Sequence, residues 1–337
     1  MSIAIITHDE CLAHDTGDKH PENRIRLEKV QAALHTSAQK NEFDFFESPL
    51  ADDAQILRGH AESYLQKVKD TVPTTGTVNL DEDTILSSGS LNAARRSAGG
   101  AIKAVDLVCG ANAAYKVAFS AGRPPGHHAL YEGSMGFCVF GNVALAAAHA
   151  IEQYGLKRVA ILDFDVHHGN GTQQILDHNR EHNGHNTLFI SFQESDIWPY
   201  NKDENTIKND HTLNYPMPTK APVEMYYDAF NTEILPALEA FRPELVIISA
   251  GFDAHRDDPP GDALFNDAPG RQLLLEKDFN WMSMRLLDIA QKYANGRLVS
   301  VMEGGYNPDV LASCVKSHVE TLNAYSQELA KGDKKVA

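Results

Sequence analysis

The sequence predicts an α/β protein with a single open, mostly parallel sheet, helices on both faces, and its reactive residues at the carboxyl ends of the strands. Three observations predict it. Short apolar runs rich in β-branched residues alternate with longer helical patterns along the chain. Several of those runs are apolar on both faces, as the central strands of a covered parallel sheet must be. No internal repeat, low-complexity linker or compositional boundary divides the 337 residues.

The strands are expected at Ile3–Thr7, Val117–Ser120, Arg158–Val166, Thr187–Phe192, Leu245–Ala250 and Arg297–Met302. Helices are expected at Glu22–Ala38, Ser90–Val108, Val143–Tyr154, Val223–Phe241, Asp278–Ala294 and from Pro308 to Leu329. In the first of these, Ile25, Val30, Ala33 and Leu34 fall among charged residues and make one apolar stripe. Asp196–Val223 is polar, rich in Asn, Asp and Pro, and has neither periodicity; it is expected as a long loop of the functional kind. One domain is expected over 1–330, with KGDKKVA (331–337) a flexible tail.

Apolar residues make up 42% and charged residues 23%, which excludes a disordered, collagen-like or disulfide-scaffold chain. The net charge of −16 argues against nucleic acid or an anionic membrane as a partner. Cys11, Cys109, Cys138 and Cys314 lie far apart and form no C-x-x-C pair, as in a protein of a reducing compartment. The start MSIAIITHDECLAHD lacks the basic and apolar regions of a secretory signal. The expectation is a soluble, cytoplasmic protein. The 16 histidines are clustered, which points to a metal.

The run DFDVHHGNGT places Asp163, Asp165 and His167 at a strand end, beside a turn that Gly169 and Gly171 permit. Acidic residues in an apolar strand are costly unless paired or bound to a cation. LVIISAGFDAH puts Asp253 just beyond a second strand. Asp165, His167 and Asp253 together make three N/O ligands, the number that leaves a catalytic metal an open position, and they suit Zn²⁺ while tolerating Fe²⁺ or Co²⁺. RPPGHHALYEGSMGFC holds adjacent histidines, His127 and His128, on a stiff loop, and LVSVMEGGYN presents Tyr306 after Gly304 and Gly305.

RPPGHH, DFDVHHGNGTQ, SAGFDAH and EGGYN, in this order and spacing, resemble the arginase-fold deacetylases, which include histone deacetylases and acetylpolyamine amidohydrolases. HDTGDKHPENRIRL and HAESYLQKV fit as well, so the resemblance covers nearly the whole chain. HHGNG and EGGYN are closer to the class II branch. The resemblance implies one Zn²⁺ on Asp165, His167 and Asp253. It implies His128, oriented by Asn170, as general base and then acid, and His127, oriented by Asp163, as its electrostatic partner. Tyr306 would donate to the tetrahedral oxyanion. Gly136, Phe137 and Trp198 would shape a narrow tunnel, Asp83 would accept substrate hydrogen bonds at its rim, and Pro260 would stand where polyamine-selective members carry a glutamate. A structural K⁺ on Asp163, Asp165, His167 and Ser191 is also implied. The implied reaction is hydrolysis of an acyl, foremost acetyl, amide on an acylated lysine peptide or a small acylated amine, with acetylpolyamine or another small metabolite as the alternative substrate. The sequence leaves the oligomeric state open.

Two departures concern the rim: Asp257–Asp258 adds negative charge where Gly-Asp is commoner, and the stretch after Trp198 (PYNKDENTIKNDHT) lacks the usual glycines. Three rivals are weaker. His178-Asn179-Arg180-Glu181-His182 matches H-x-x-E-H, but its polar surroundings read as a solvated helix end. An arginase-type ureohydrolase needs extra Asp ligands where His127, His128 and Tyr306 stand. An inactive acyl-lysine-binding module would have lost a ligand or the tyrosine.

Overall fold

The structure, a computed structural model, describes residues 2–201, 204–258 and 272–331. The strands are β1 (Ile3–Thr7), β2 (Phe43–Glu47), β3 (Thr77–Asn79), β4 (Ile85–Ser87), β5 (Val117–Ser120), β6 (Val159–Asp163), β7 (Thr187–Glu194), β8 (Thr212–Met217), β9 (Leu245–Ala250) and β10 (Leu298–Met302). The helices are α1 (Arg24–Ala38), α2 (Asp53–Ile56), α3 (Glu62–Thr71), α4 (Ser90–Cys109), α5 (Asn142–Tyr154), α6 (Asn170–Asn183), α7 (Val223–Ala229), α8 (Leu235–Phe241), α9 (Glu276–Tyr293) and α10 (Pro308–Lys331). Eight strands form one sheet in the order β2-β1-β5-β10-β9-β6-β7-β8, and every neighbouring pair is parallel. β3 and β4 form a separate antiparallel pair.

Alternation along the strands divides the core into two layers. Ile3, Ile5, Leu162, Val246 and Ile248 face a layer built with α1, α9 and α10, while Ala4, Ile6, Ile161, Leu245 and Ile247 face α4, α5 and α6. Each such Leu, Ile or Val, fully buried, contributes on the order of 1.5–3 kcal/mol. No helix among the described residues is long and apolar enough to cross a membrane.

β5, β10, β9 and β6 are consecutive in the sheet, so the chain segments leaving their carboxyl ends emerge side by side. Those segments carry RPPGHH, EGGYN, GFDAH and DVHHGN. The sheet order, not proximity in sequence, assembles them.

Several expectations need correction. β6 stops at Asp163 rather than Val166: Phe164 donates to the Ser249 carbonyl (3.2 Å) and Asp165 N–H turns back to Asp163 Oδ1 (3.0 Å). Asp165 and His167 therefore lie on a turn and not along a pleat. The expected loop Asp196–Val223 contains β8, whose Asn214 and Pro216 mask the strand pattern. Pro is tolerated there because β8 is an edge strand. The expected helix 223–241 is broken by a π-helical turn at Phe230–Ile234. Pro236, which has no N–H for the Thr232 carbonyl, follows directly. β2 and α6 were not expected. Of the tail expected over 331–337, Lys331 ends α10 and the remainder lies outside the described residues.

A buried ionic cluster ties the amino-terminal segment to the sheet. Arg123 donates to both oxygens of Glu22 (2.6 and 2.7 Å) and Arg26 to one (2.9 Å), and all three side chains are fully buried. Burial pushes the Glu22 carboxyl up, but the Arg123 and Arg26 guanidiniums outweigh it and hold it at about 2. Its folded value lies below the unfolded one, so its stabilisation is complete above about pH 4.5 and is lost as pH falls through about 2. Glu22→Ala leaves two buried guanidiniums without their carboxylate. It should cost about 3–5 kcal/mol in denaturant unfolding at pH 7; a cost under about 1 kcal/mol would show that the cluster is not structural.

Candidate active site

Asp165 and Asp253 are buried beyond the ends of β6 and β9, and His167 is largely so. His167 Nδ1 lies 3.1 Å from Asp165 Oδ1 and 3.2 Å from Asp253 Oδ2, and the ligand atoms of the three lie within 4.8 Å of one another. Ligands about 2.0 Å from a tetrahedral centre stand about 3.3 Å apart, so the spacing fits Zn²⁺. Asp253 Oδ1 accepts the Val166 N–H (2.8 Å), but the buried Oδ2 accepts no hydrogen bond. Burial and the Asp165 charge push the Asp253 carboxyl up to about 6. Burial disfavours the His167 cation, but Asp165 and Asp253 raise it to about 10. The pocket thus concentrates negative charge, and its N/O donor set is one that a divalent cation would fit.

A second group, His255, Glu276 and Cys314, also brings three ligand types together. There His255 Nδ1 accepts the Asp257 N–H (3.1 Å), so the ring proton sits on Nε2, facing Glu276 Oε2 at 3.4 Å. Ligation through Nε2 needs the other tautomer. This group holds a turn together instead.

His127 and His128 have ring centroids 3.9 Å apart but opposite surroundings. His127 Nδ1 meets Asp163 Oδ2 at 3.0 Å and its Nε2 lies 3.7 Å from Asp165 Oδ2. Burial opposes its charge, yet Asp165 and Asp163 raise it to about 10. His128 Nδ1 meets Asn170 Oδ1 at 2.7 Å, and Asn170 Nδ2 donates to Met135 Sδ. Burial, then the charges on His127 and His167, hold His128 well below the ordinary range. One ring favours the cation. The other stays neutral, donates through Nδ1 and leaves the Nε2 lone pair unprotonated.

The histidine loop is anchored from β10's end: Glu303 Oε2 accepts the N–H groups of Gly126 (2.6 Å) and His127 (3.2 Å). Gly304 is dictated by space, since a Cβ there would strike carboxylate oxygens of both Asp165 and Asp253. Its N–H donates to Asp165 Oδ2 (3.0 Å). Burial and the Asp253 and Asp165 charges raise the Tyr306 phenol well above its usual value, although Arg26 opposes them. The hydroxyl therefore keeps its proton at neutral pH.

Aromatic walls stand over the pair. Trp198 meets His128 edge-on at 4.6 Å, and Phe137 meets Tyr306 at 5.9 Å. Gly136 has φ +56°, and a Cβ on it would collide with both the His128 ring and Trp198, so only glycine fits. Asp83 accepts the Phe137 backbone N–H, while burial and the Asp81 charge push its carboxyl up to about 6. Ser191 is the register partner of Asp163, and its buried Oγ has no hydrogen-bond partner.

The structure thus brings together His127, His128, Asp163, Asn170, Asp165, His167, Asp253, Tyr306, Gly136, Phe137, Trp198, Asp83 and Ser191. Pro260 lies outside the described residues. Asp258, expected to add charge at the rim, is instead buried. On α6, His178 stacks on His182 and on Tyr131, and neither histidine joins the Asp165–His167–Asp253 group. Sequence reasoning missed Glu303, Met135 and Arg26. An acid at the end of the apolar run VSVM and an arginine in an apolar stripe were the available signals.

The Histone deacetylase domain model matches residues 20–322. The chain is 36% identical to the Histone deacetylase-like amidohydrolase of Pseudomonas aeruginosa, over 90% of this chain and 77% of that one. It is 32% identical to the chloroplastic Histone deacetylase 14 of Arabidopsis thaliana, over 90% and 73% of the two chains. The crystal structure of the HDA15 HD domain superposes with a TM-score of 0.82 at 28% identity, covering 97% of this chain and 91% of the other. A parallel sheet that ends in this constellation, matched along nearly its full length, belongs to the histone deacetylase domain family, and the chain is an amide-bond hydrolase of that family.

Proposed function

We propose that the protein is a class II histone deacetylase-like enzyme that hydrolyses an acyl amide, foremost acetyl, on a lysine-like or other aliphatic amine, working in the cytoplasm as one catalytic unit over 1–330. The observation that carries this reading is the pair of adjacent histidines with opposite charge preferences, set against the Asp165–His167–Asp253 triad. The Histone deacetylase domain match and the amidohydrolase name of the Pseudomonas relative support it.

Asp165, His167 and Asp253 would hold one Zn²⁺, which when bound supplies a Lewis acid that makes water more acidic and polarises an amide carbonyl. His128 Nε2 takes a proton from the attacking water and later delivers one to the leaving nitrogen, so that water and amide become carboxylate and free amine. His127, kept charged by Asp163, stabilises the negative charge that develops. Tyr306 donates its hydroxyl proton in a hydrogen bond to the oxygen of the tetrahedral intermediate. Gly136, Phe137 and Trp198 admit an extended aliphatic chain and exclude water, and Asp83 accepts an N–H of the substrate at the mouth. A structural K⁺ on Asp163, Asp165, His167 and Ser191 is favoured by the unpartnered Ser191 Oγ.

The decisive assay is turnover of acetyl-lysine peptides, free acetyl-lysine, acetylpolyamines and longer acyl-lysines by the zinc-loaded protein. Hydrolysis of none of them would overturn the proposal. Asp253→Ala should lose most of its zinc by elemental analysis while keeping its circular dichroism; full zinc occupancy in that variant would remove Asp253 from the ligand set. His128→Ala should retain metal and lose roughly 10²-fold or more in kcat. Near-normal turnover across pH 6–9 would instead exclude it as the proton carrier. Tyr306→Phe should lose about 3 kcal/mol of transition-state stabilisation, on the order of 10²–10³ in kcat, with hydroxamate binding retained.

A further inference from the structure

We propose that Asp258 is a positioning residue for Tyr306, fixing the peptide that carries the phenol; this rests on the reading of Tyr306 as the oxyanion donor. Asp258 is 5% exposed. Its Oδ1 accepts the backbone N–H groups of Tyr306 and Asn307, both at 2.8 Å, and its Oδ2 lies 3.1 Å from the Tyr306 nitrogen. A carboxylate held by two successive backbone N–H groups is a strong, directional clamp. The neighbouring Asp257 carbonyl accepts from Asn307 Nδ2 (3.1 Å) and adds a second tie between the same two segments.

The clamp is itself rigid. Asp258 N–H donates to the His255 carbonyl (3.0 Å), Asp257 N–H to His255 Nδ1 (3.1 Å), and His255 N–H to the Phe252 carbonyl (3.1 Å). A closed turn therefore runs from the segment holding Asp253 to the carboxylate that holds Tyr306. From the other side, Arg26 donates to the carbonyls of Glu303 (2.5 Å) and Gly305 (2.6 Å), with its guanidinium 5.0 Å over the Tyr306 ring. Gly304 N–H is committed to Asp165.

This arrangement explains how a tyrosine after two glycines holds still. Gly305 sits at φ +118°, where an unanchored chain has many alternatives. The N–H groups of Tyr306 and Asn307 are the two that follow that glycine, and Asp258 takes both. Without it the ring keeps its neighbours but the hydroxyl loses its fixed aim. Misplacement of a reacting donor by about 1 Å lowers rate far more than binding.

The test is a double-mutant cycle on the zinc-loaded full chain with an acetyl-lysine peptide, comparing wild type, Asp258→Ala, Tyr306→Phe and the double variant. Asp258→Ala should lower kcat about 10- to 100-fold with KM within about twofold and zinc content unchanged. Asp258→Asn, whose amide oxygen can still accept both N–H groups, should regain most of that loss. In the Tyr306→Phe background, Asp258→Ala should change kcat by less than about twofold. Where Asp258→Ala does not fold, Asp258→Glu, which keeps the charge but moves the carboxylate by one methylene, takes its place in the cycle. Normal kcat in the Asp258 variant, or an equal fold-loss with and without the phenol hydroxyl, overturns the assignment of Asp258. Normal kcat in Tyr306→Phe alone overturns the reading of Tyr306 on which it rests.

Discussion

Negative charge buried at the centre of the sheet is the constraint around which the rest is arranged. Asp163, Asp165, Asp253 and Glu303 stand at or just beyond the ends of β6, β9 and β10, and none is more than 1% exposed. Carboxylates in such a place survive only if every oxygen finds a donor or a cation. Backbone N–H groups of Asp165, Val166, His167, Gly304, Gly126 and His127 supply much of that need. The imidazoles of His127 and His167 supply more, while Asp253 Oδ2 and Glu303 Oε1 accept no hydrogen bond. The glycine after Glu303 follows from the same crowding, because any side chain at Gly304 would occupy the space of the Asp165 and Asp253 carboxylate oxygens.

That charge also makes two neighbouring histidines unlike. His127 leans on Asp163 and carries a proton, and its charge then depresses the next ring along the chain. Asn170, a neutral partner of similar shape to the aspartate, fixes the orientation of His128 without restoring its basicity. A ring that favours the cation and a ring that favours the neutral form thereby stand side by side within one dipeptide. Trp198, whose ring packs edge-on against both His128 and His167, comes from the β7–β8 connection.

What was legible in the sequence follows from what leaves a mark on side chains. Ile3–Thr7, Val117–Ser120 and Leu245–Ala250 were read to the residue because strands buried on both faces must be apolar throughout. The edge strands FDFFE and TLNYPM escaped because an edge admits Asp, Asn and Pro. The side chains that the structure gathers at the strand ends were legible as short contiguous motifs. Asp258, Glu303 and Arg26 were not, because they act on backbone groups far away in the chain: Asp258 on the N–H groups of Tyr306 and Asn307, Glu303 on those of Gly126 and His127, Arg26 on the carbonyls of Glu303 and Gly305. A backbone amide looks the same under every residue type. Asp258 was even misread as surface charge, since its neighbour Asp257 is the exposed member of the pair.

The strand order has a consequence for how the chain comes off the ribosome. β5 pairs with β10 through Val117 and Leu298, and β6 pairs with β9 through Val159 and Leu245, so the middle of the sheet closes only after most of the polypeptide exists. Pairings of such long sequence separation form slowly and leave apolar strands uncovered in the meantime. A nascent chain that has emerged through Asp165 and His167 still lacks Asp253, and one that has emerged through Asp253 still lacks β10. The cluster of Asp165, His167 and Asp253 is therefore a late product of folding, complete only once β9 has taken its place between β6 and β10.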